Sequence, residues 1–150
     1  MNKKIILDTQ FDTLQFGRRI ASVLPKGGFV GLYGDLGTGK SVIARGIADH
    51  LGVQNVASPT FTIMQRYDTH PVLYHIDAYR LADSNELFDV GFEECLRDGA
   101  LVVIEWADIV SDALPVKRLD IHLTGSGTEP RTACLDCDER LICKEQFQTL

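Results

Sequence analysis

The chain is 150 residues long, sufficient for one domain that buries about 70% of its unfolded surface. Its 45% hydrophobic and 24% charged residues suit a soluble globular protein, and no apolar run of roughly 18 residues offers a membrane span. Lys and Arg number 15 against 21 Asp and Glu, a net charge of −6, which argues against a chain that holds nucleic acid unaided.

The apolar stretch after Met1 is too short for a signal peptide, and Lys4 to Leu7 predicts a short strand. Thr9-Gln10-Phe11-Asp12 then offers an N-cap with an acid three residues on. From Asp12 to Leu24, the residues Leu14, Ile20, Ala21 and Leu24 recur at near-helical spacing until Pro25-Lys26-Gly27-Gly28 ends the helix.

Next come the apolar run Phe29-Val30-Gly31-Leu32-Tyr33 and then Gly34-Asp35-Leu36-Gly37-Thr38-Gly39-Lys40-Ser41. Val42 to Leu51 follow at helical spacing, with Gly52 as a C-cap. A strand, a G-x-x-x-x-G-K-[ST] loop and a helix in that order are the pattern of a phosphate-binding P-loop. Glycines let successive N–H groups line one concavity, which opens on a helix N-terminus where an anion is favoured. Lys40 supplies a cation for the β- and γ-phosphates, and the Ser41 hydroxyl is a candidate Mg²⁺ ligand. The stretch predicts a nucleoside triphosphate site.

Ser58-Pro59-Thr60-Phe61-Thr62 has two readings: a plain turn at a proline, or a switch loop whose Thr60 hydroxyl approaches Mg²⁺ or the γ-phosphate. Ile63 to Tyr67 and Val72 to Ile76 predict an antiparallel hairpin. Beyond it, His75, Asp77 and Tyr79 share one face of an extended chain with Arg80 opposite, either as a solvated strand end or as groups that position metal and water. Asp83 to Phe88 and Gly91 to Asp98 read as short acidic helices. Ala100-Leu101-Val102-Val103-Ile104-Glu105 is a buried parallel strand ending in an acid, the Walker B pattern, and Trp106 reads as core.

Pro115 opens a β-rich section in which Arg118 to Leu123 and Arg131 to Cys137 are strands around Gly125-Ser126-Gly127. Asp138 onward predicts a terminal helix with Leu141, Ile142 and Phe147 as its apolar contacts. Cys134 and Cys137 form a CxxC, and Cys143 follows. No second pair completes a zinc set, and positions 134 and 137 point to opposite faces of a strand, so buried, reduced thiols in a cytoplasmic protein are expected.

In order, the motifs Leu36-Gly37-Thr38-Gly39-Lys40-Ser41, Ser58-Pro59-Thr60-Phe61, His75-x-Asp77-x-Tyr79-Arg80, Glu86-Leu87 with Gly91, and Ile104-Glu105-Trp106 resemble the bacterial TsaE (YjeE) family, from about Thr13 to Arg131. The resemblance implies an α/β P-loop NTPase fold over residues 1–150, with a mixed parallel and antiparallel sheet flanked by helices. It implies an Mg²⁺-dependent ATPase that binds ATP and ADP and supports the TsaB–TsaD pair, which forms threonylcarbamoyladenosine beside the tRNA anticodon. Transfer RNA would be met only through that complex, and no membrane is involved.

By matching motifs, Lys40, Ser41, Glu105 and Asp77 would serve phosphate, metal and water, with Thr60 in the switch loop. Thr13, Asp35, Leu36, Gly37, Thr38, Gly39 and Arg131 would help hold the nucleotide. The departures are Thr38 for alanine, Ser41 for threonine and Ala107 where proline is frequent, and none removes a functional group. Competing readings are a small-metabolite kinase, for which an arginine-bearing lid is missing, and an adaptor in which ATP only orders residues 58–62.

Overall fold

Strands buried on both faces need cover on each side, and three of them lie side by side in the computed structural model, which describes residues 1–97 and 99–150. They are β2 (Gly28–Tyr33), β4 (Leu73–Asp77) and β5 (Leu101–Glu105). The other strands are β1 (Asn2–Leu7), β3 (Met64–Tyr67), β6 (Leu119–Thr124) and β7 (Arg131–Cys137). Together they form one seven-stranded sheet in the order β1-β7-β6-β2-β5-β4-β3. The centre, β6-β2-β5-β4, is parallel, whereas β3, β7 and β1 pair antiparallel. This is the mixed α/β sheet expected, hairpin included.

One face is covered by α1 (Gln10–Val23), α2 (Lys40–His50) and α5 (Lys144–Thr149). Phe16, Ile20, Ile43 and Ile47 meet Val30, Leu32, Val103 and Ile121 there. On the other face, α3 (Ser84–Asp89), α4 (Phe92–Arg97) and a 3₁₀ segment Ala107–Ala113 enclose Phe29, Ile76, Val102 and Ile104. The predicted end of α4, Asp98, lies outside the described residues. Helix α1 starts with the expected box: Thr9 Oγ1 accepts from the Asp12 N–H at 3.1 Å, and Asp12 Oδ2 accepts from the Thr9 N–H at 3.0 Å.

The terminal helix is shorter than predicted. Asp138 instead accepts from the Arg140 N–H in a turn, and the helix begins only after Cys143, which caps it with Gln146. Ile142 and Phe147 are buried as expected. The thiols need a correction: Cys95 and Cys137 are buried, but Cys134 and Cys143 are exposed. Alternation along β7 turns Cys134 to solvent and Cys137 into the core, where burial pushes the Cys137 thiol up to about 11.

Helices α1 and α2 touch backbone to backbone. A Cβ on Gly17 would stand 2.4 Å from the Ile43 carbonyl oxygen, and one on Gly46 would stand 2.2 Å from that of Leu14. Neither oxygen can swing aside as a side chain would. Alanine gains roughly 1 kcal/mol over glycine in a helix interior, but overpacking of this kind costs about 1–3 kcal/mol. Gly46→Ala is therefore expected to lower the urea midpoint, and an unchanged or raised midpoint would show that the helices can part freely.

Candidate functional site

The loop after β2 is shaped by contacts that exclude side chains. Gly34 has φ 144°, and a Cβ there would meet the Leu123 carbonyl oxygen at 2.6 Å and Thr38 Oγ1 at 2.7 Å. Gly39, at φ 105°, is the left-handed N-cap from which α2 departs. The first-turn N–H groups of a helix have no carbonyl partner within it, so the loop ends on an anion-favouring point.

Thr38 Oγ1 donates to the Asp35 carbonyl at 2.9 Å and braces the loop from inside. Lys40 Nζ donates to the carbonyls of Gly34 and Asp35, the latter at 2.8 Å, and lies 4.0 Å from the centre of the Trp106 ring. Burial lowers the Lys40 ammonium pKa, while the carboxylates of Glu105, Asp108, Asp35 and Asp77 pull it the other way.

Two carboxylates arrive beside this loop on parallel strands. Asp77 ends β4 and Glu105 ends β5, and the two are register partners. Both are buried, so each needs partners. Glu105 Oε1 accepts from Ser41 Oγ at 2.8 Å, while Oε2 lies 2.6 Å from His75 Nε2. Asp77 Oδ2 accepts from Thr60 Oγ1 at 2.9 Å, and Oδ1 accepts from the Tyr79 N–H at 3.0 Å. Ser58 Oγ adds a 2.8 Å contact to Thr60 Oγ1, so the proline loop is fastened to the end of β4. His75 and Asp77 are therefore not a solvated strand end. Tyr79 and Arg80 are exposed.

Lys40, Ser41, Thr60, Asp77 and Glu105 face a cavity of about 780 Å³, within the range of small-ligand sites. Of the predicted site residues, Thr13, Leu36, Gly37, Gly39, Lys40, Ser41, Thr60, Asp77, Glu105 and Arg131 line it. Asp35 and Thr38 do not; they support the loop through the contacts given above. Arg131 Nη2 donates to the Gly37 carbonyl at 3.2 Å and to the Gly127 carbonyl at 3.0 Å, tying β7 to the phosphate loop.

Trp106 was expected in the core. It packs against the core only in part: in the left-handed region at φ 57° it is half-buried and also forms the cavity wall, with its ring centroid 4.9 Å from that of Tyr79. The sequence reading also missed Asp8 to Gln10 and Gly127 to Glu129 as lining, because Thr9 and Gln10 stand out only as a helix cap and Gly127 only as a turn. An ammonium, a helix N-terminus and a hydroxyl paired with a carboxylate are the donor set that polyphosphate with a hard, oxygen-seeking cation requires.

A parallel-centred α/β sheet, a glycine loop opening on a helix and an acidic residue ending the neighbouring strand define a P-loop protein. The family model "Threonylcarbamoyl adenosine biosynthesis protein TsaE" matches residues 7–133. The chain belongs to the TsaE family, which takes part in tRNA threonylcarbamoyladenosine biosynthesis.

Relatives named "tRNA threonylcarbamoyladenosine biosynthesis protein TsaE" support this. That of Rickettsia bellii is 35% identical over 144 residues, covering 94% of this chain and 93% of the relative. That of Treponema pallidum is 39% identical over 113 residues, covering 75% and 84%. The crystal structure of Bacillus subtilis YdiB superposes with a TM-score of 0.81 at 27% identity, covering 99% of this chain and 96% of that one. Among the described residues, no helix is long and apolar enough to cross a membrane.

Proposed function

We propose that this chain binds ATP with Mg²⁺ and hydrolyses it to support the TsaB–TsaD pair in forming threonylcarbamoyladenosine on tRNA. The observation that carries the reading is the 2.8 Å hydrogen bond between Ser41, on the first turn of the P-loop helix, and the strand-end carboxylate of Glu105. Such a hydroxyl–carboxylate pair beside a phosphate loop is a metal-holding arrangement, and a bound Mg²⁺ neutralises charge on the phosphates.

Lys40 binds phosphate, Ser41 and Glu105 hold the cation, and Asp77 remains to orient water. Arg131, Thr13 and the residues around Gly37 close on the nucleotide. The decisive measurement is phosphate release by the purified chain, alone and with TsaB and TsaD. Mg²⁺-dependent release that rises with the partners is expected. No release under any condition, or transfer of phosphate to an added metabolite, would overturn the reading.

The Thr60–Asp77 bond gives the loop over 58–62 two anchors to choose between, its strand-end carboxylate and the nucleotide. A ligand shifts such an equilibrium by its differential affinity for the two states. In the ATP form the loop is expected to favour partner docking. Thr60→Ala should therefore bind ATP yet assemble poorly with TsaB–TsaD in calorimetric titrations. Equal partner affinity with ADP, ATP and a non-hydrolysable analogue in the parent protein would remove the nucleotide as the switch.

A further inference from the structure

We infer that His75 is a positioning residue for Glu105, fixing one carboxylate oxygen so that the other is presented to the Ser41 hydroxyl and to the cation held there. The inference rests on the reading of Ser41 and Glu105 as the metal-holding pair.

Glu105 closes a strand whose preceding residues are anchored by packing, but its own side chain has three rotatable bonds. Its two oxygens are engaged differently. Oε1 faces Ser41 Oγ, and Oε2 is gripped by His75 Nε2 at 2.6 Å. The grip is dry: the side chains of His75 and Glu105 are 4% and 3% exposed. It is also a diagonal contact, because the residue opposite Glu105 is Asp77 and the residue opposite His75 is Val103. The imidazole reaches along the sheet to the next level, as a long side chain can.

The other ring nitrogen identifies the proton's place. Nδ1 of His75 is buried without a hydrogen-bond partner among the described residues. An N–H there would be a donor with no acceptor, while a bare Nε2 would set its lone pair against a carboxylate. The proton therefore belongs on Nε2, which donates to Oε2.

Leu73, two residues earlier on the same face of β4, and Val103 opposite are apolar and buried, so an apolar residue at 75 would suit the packing better than a half-satisfied imidazole. A polar ring with one nitrogen left unpaired is explained by what the paired nitrogen does. Outer partners of metal-holding carboxylates change metal affinity or activity by roughly ten- to a hundredfold when removed.

The test compares the parent protein with His75→Leu, His75→Gln and His75→Asn, each also combined with Glu105→Gln. Mn²⁺ binding in the presence of ADP is followed by electron paramagnetic resonance. ADP affinity without metal and the Mg²⁺ concentration for half-maximal turnover with the partners are measured alongside. His75→Leu is expected to weaken Mn²⁺ by roughly ten- to a hundredfold and to raise the Mg²⁺ requirement, with metal-free ADP affinity unchanged. The glutamine amide reaches about as far as Nε2 and should restore most of the binding; the shorter asparagine should not.

In the Glu105→Gln background, changes at 75 should add little. Parent-like Mn²⁺ affinity in His75→Leu overturns the inference, as does equal loss of metal-free ADP binding in all three variants, which would mark a packing role. If His75→Leu does not fold, the contrast between glutamine and asparagine decides. Mn²⁺ affinity unaltered by Glu105→Gln alone would overturn the metal-site reading itself.

Discussion

Lys40→Ala is expected to abolish ATP hydrolysis and weaken nucleotide binding, with the fold left intact. The ammonium lies inside the phosphate loop, donating to the carbonyls of Gly34 and Asp35 under the Trp106 ring. Alanine would leave those carbonyl dipoles facing the phosphates with no cation between them. A hydrogen bond to a charged group contributes about 1.5–3 kcal/mol, roughly ten- to a hundredfold in affinity. Turnover should fall further, because charge on the transferred phosphoryl group is what such a cation stabilises. Stability should change little, since burial already disfavours the charged amine there. Calorimetry with ADP and an ATP analogue, together with phosphate release, checks both halves. Unchanged affinity with unchanged turnover would remove the P-loop assignment.

Glu105→Gln should separate binding from chemistry. The amide has the same shape, and its oxygen can still accept from His75 Nε2. Its NH₂ then faces the Ser41 hydroxyl, which accepts as readily as it donates, so the local hydrogen bonds survive. The carboxylate charge does not. Nucleotide should still bind, while hydrolysis falls by about a hundredfold or more. Asp77→Asn is expected to follow the same pattern, with the added loss of an acceptor for Thr60. Full turnover in Glu105→Gln, measured by phosphate release with the partners, would assign the metal and water chemistry to another carboxylate.

Both of these residues could be read from the sequence because their signals are local. The glycine loop is contiguous, and Leu101 to Ile104 is an unbroken apolar run, closed by Glu105, that a strand buried on both faces explains. The β3–β4 hairpin was legible as two strand-like runs around a short turn, whereas the mixed sheet as a whole was what the family resemblance implied. What stayed hidden is set by strand order. Pairing of β1 with β7 brings Asp8 to Gln10 and Gly127 to Glu129 to one cavity from opposite ends of the chain.

Trp106 looked like core because a lone tryptophan after an apolar strand is ordinarily core. Its left-handed backbone, which turns the ring over Lys40, leaves no trace in composition. His75 was placed on the right face of β4, but its partner lies on β5, and a register contact is invisible before the sheet is known. The opposite facing of Cys134 and Cys137 was legible from strand parity; that the face carrying Cys134 meets solvent, and that Cys143 lies exposed at the cap of a short helix, was not.

The crossing of α1 and α2 at Gly17 and Gly46 has a bearing on design. A contact made only of peptide backbone has no rotamers with which to relax, so it works as a fixed gauge between the segment that starts α1 and the phosphate loop that starts α2. Substitution of outward-facing residues on either helix leaves that gauge untouched. A pocket widened for a bulkier ligand would therefore be engineered at positions 17 and 46, about one turn along each helix from the lining residues Thr13 and Val42.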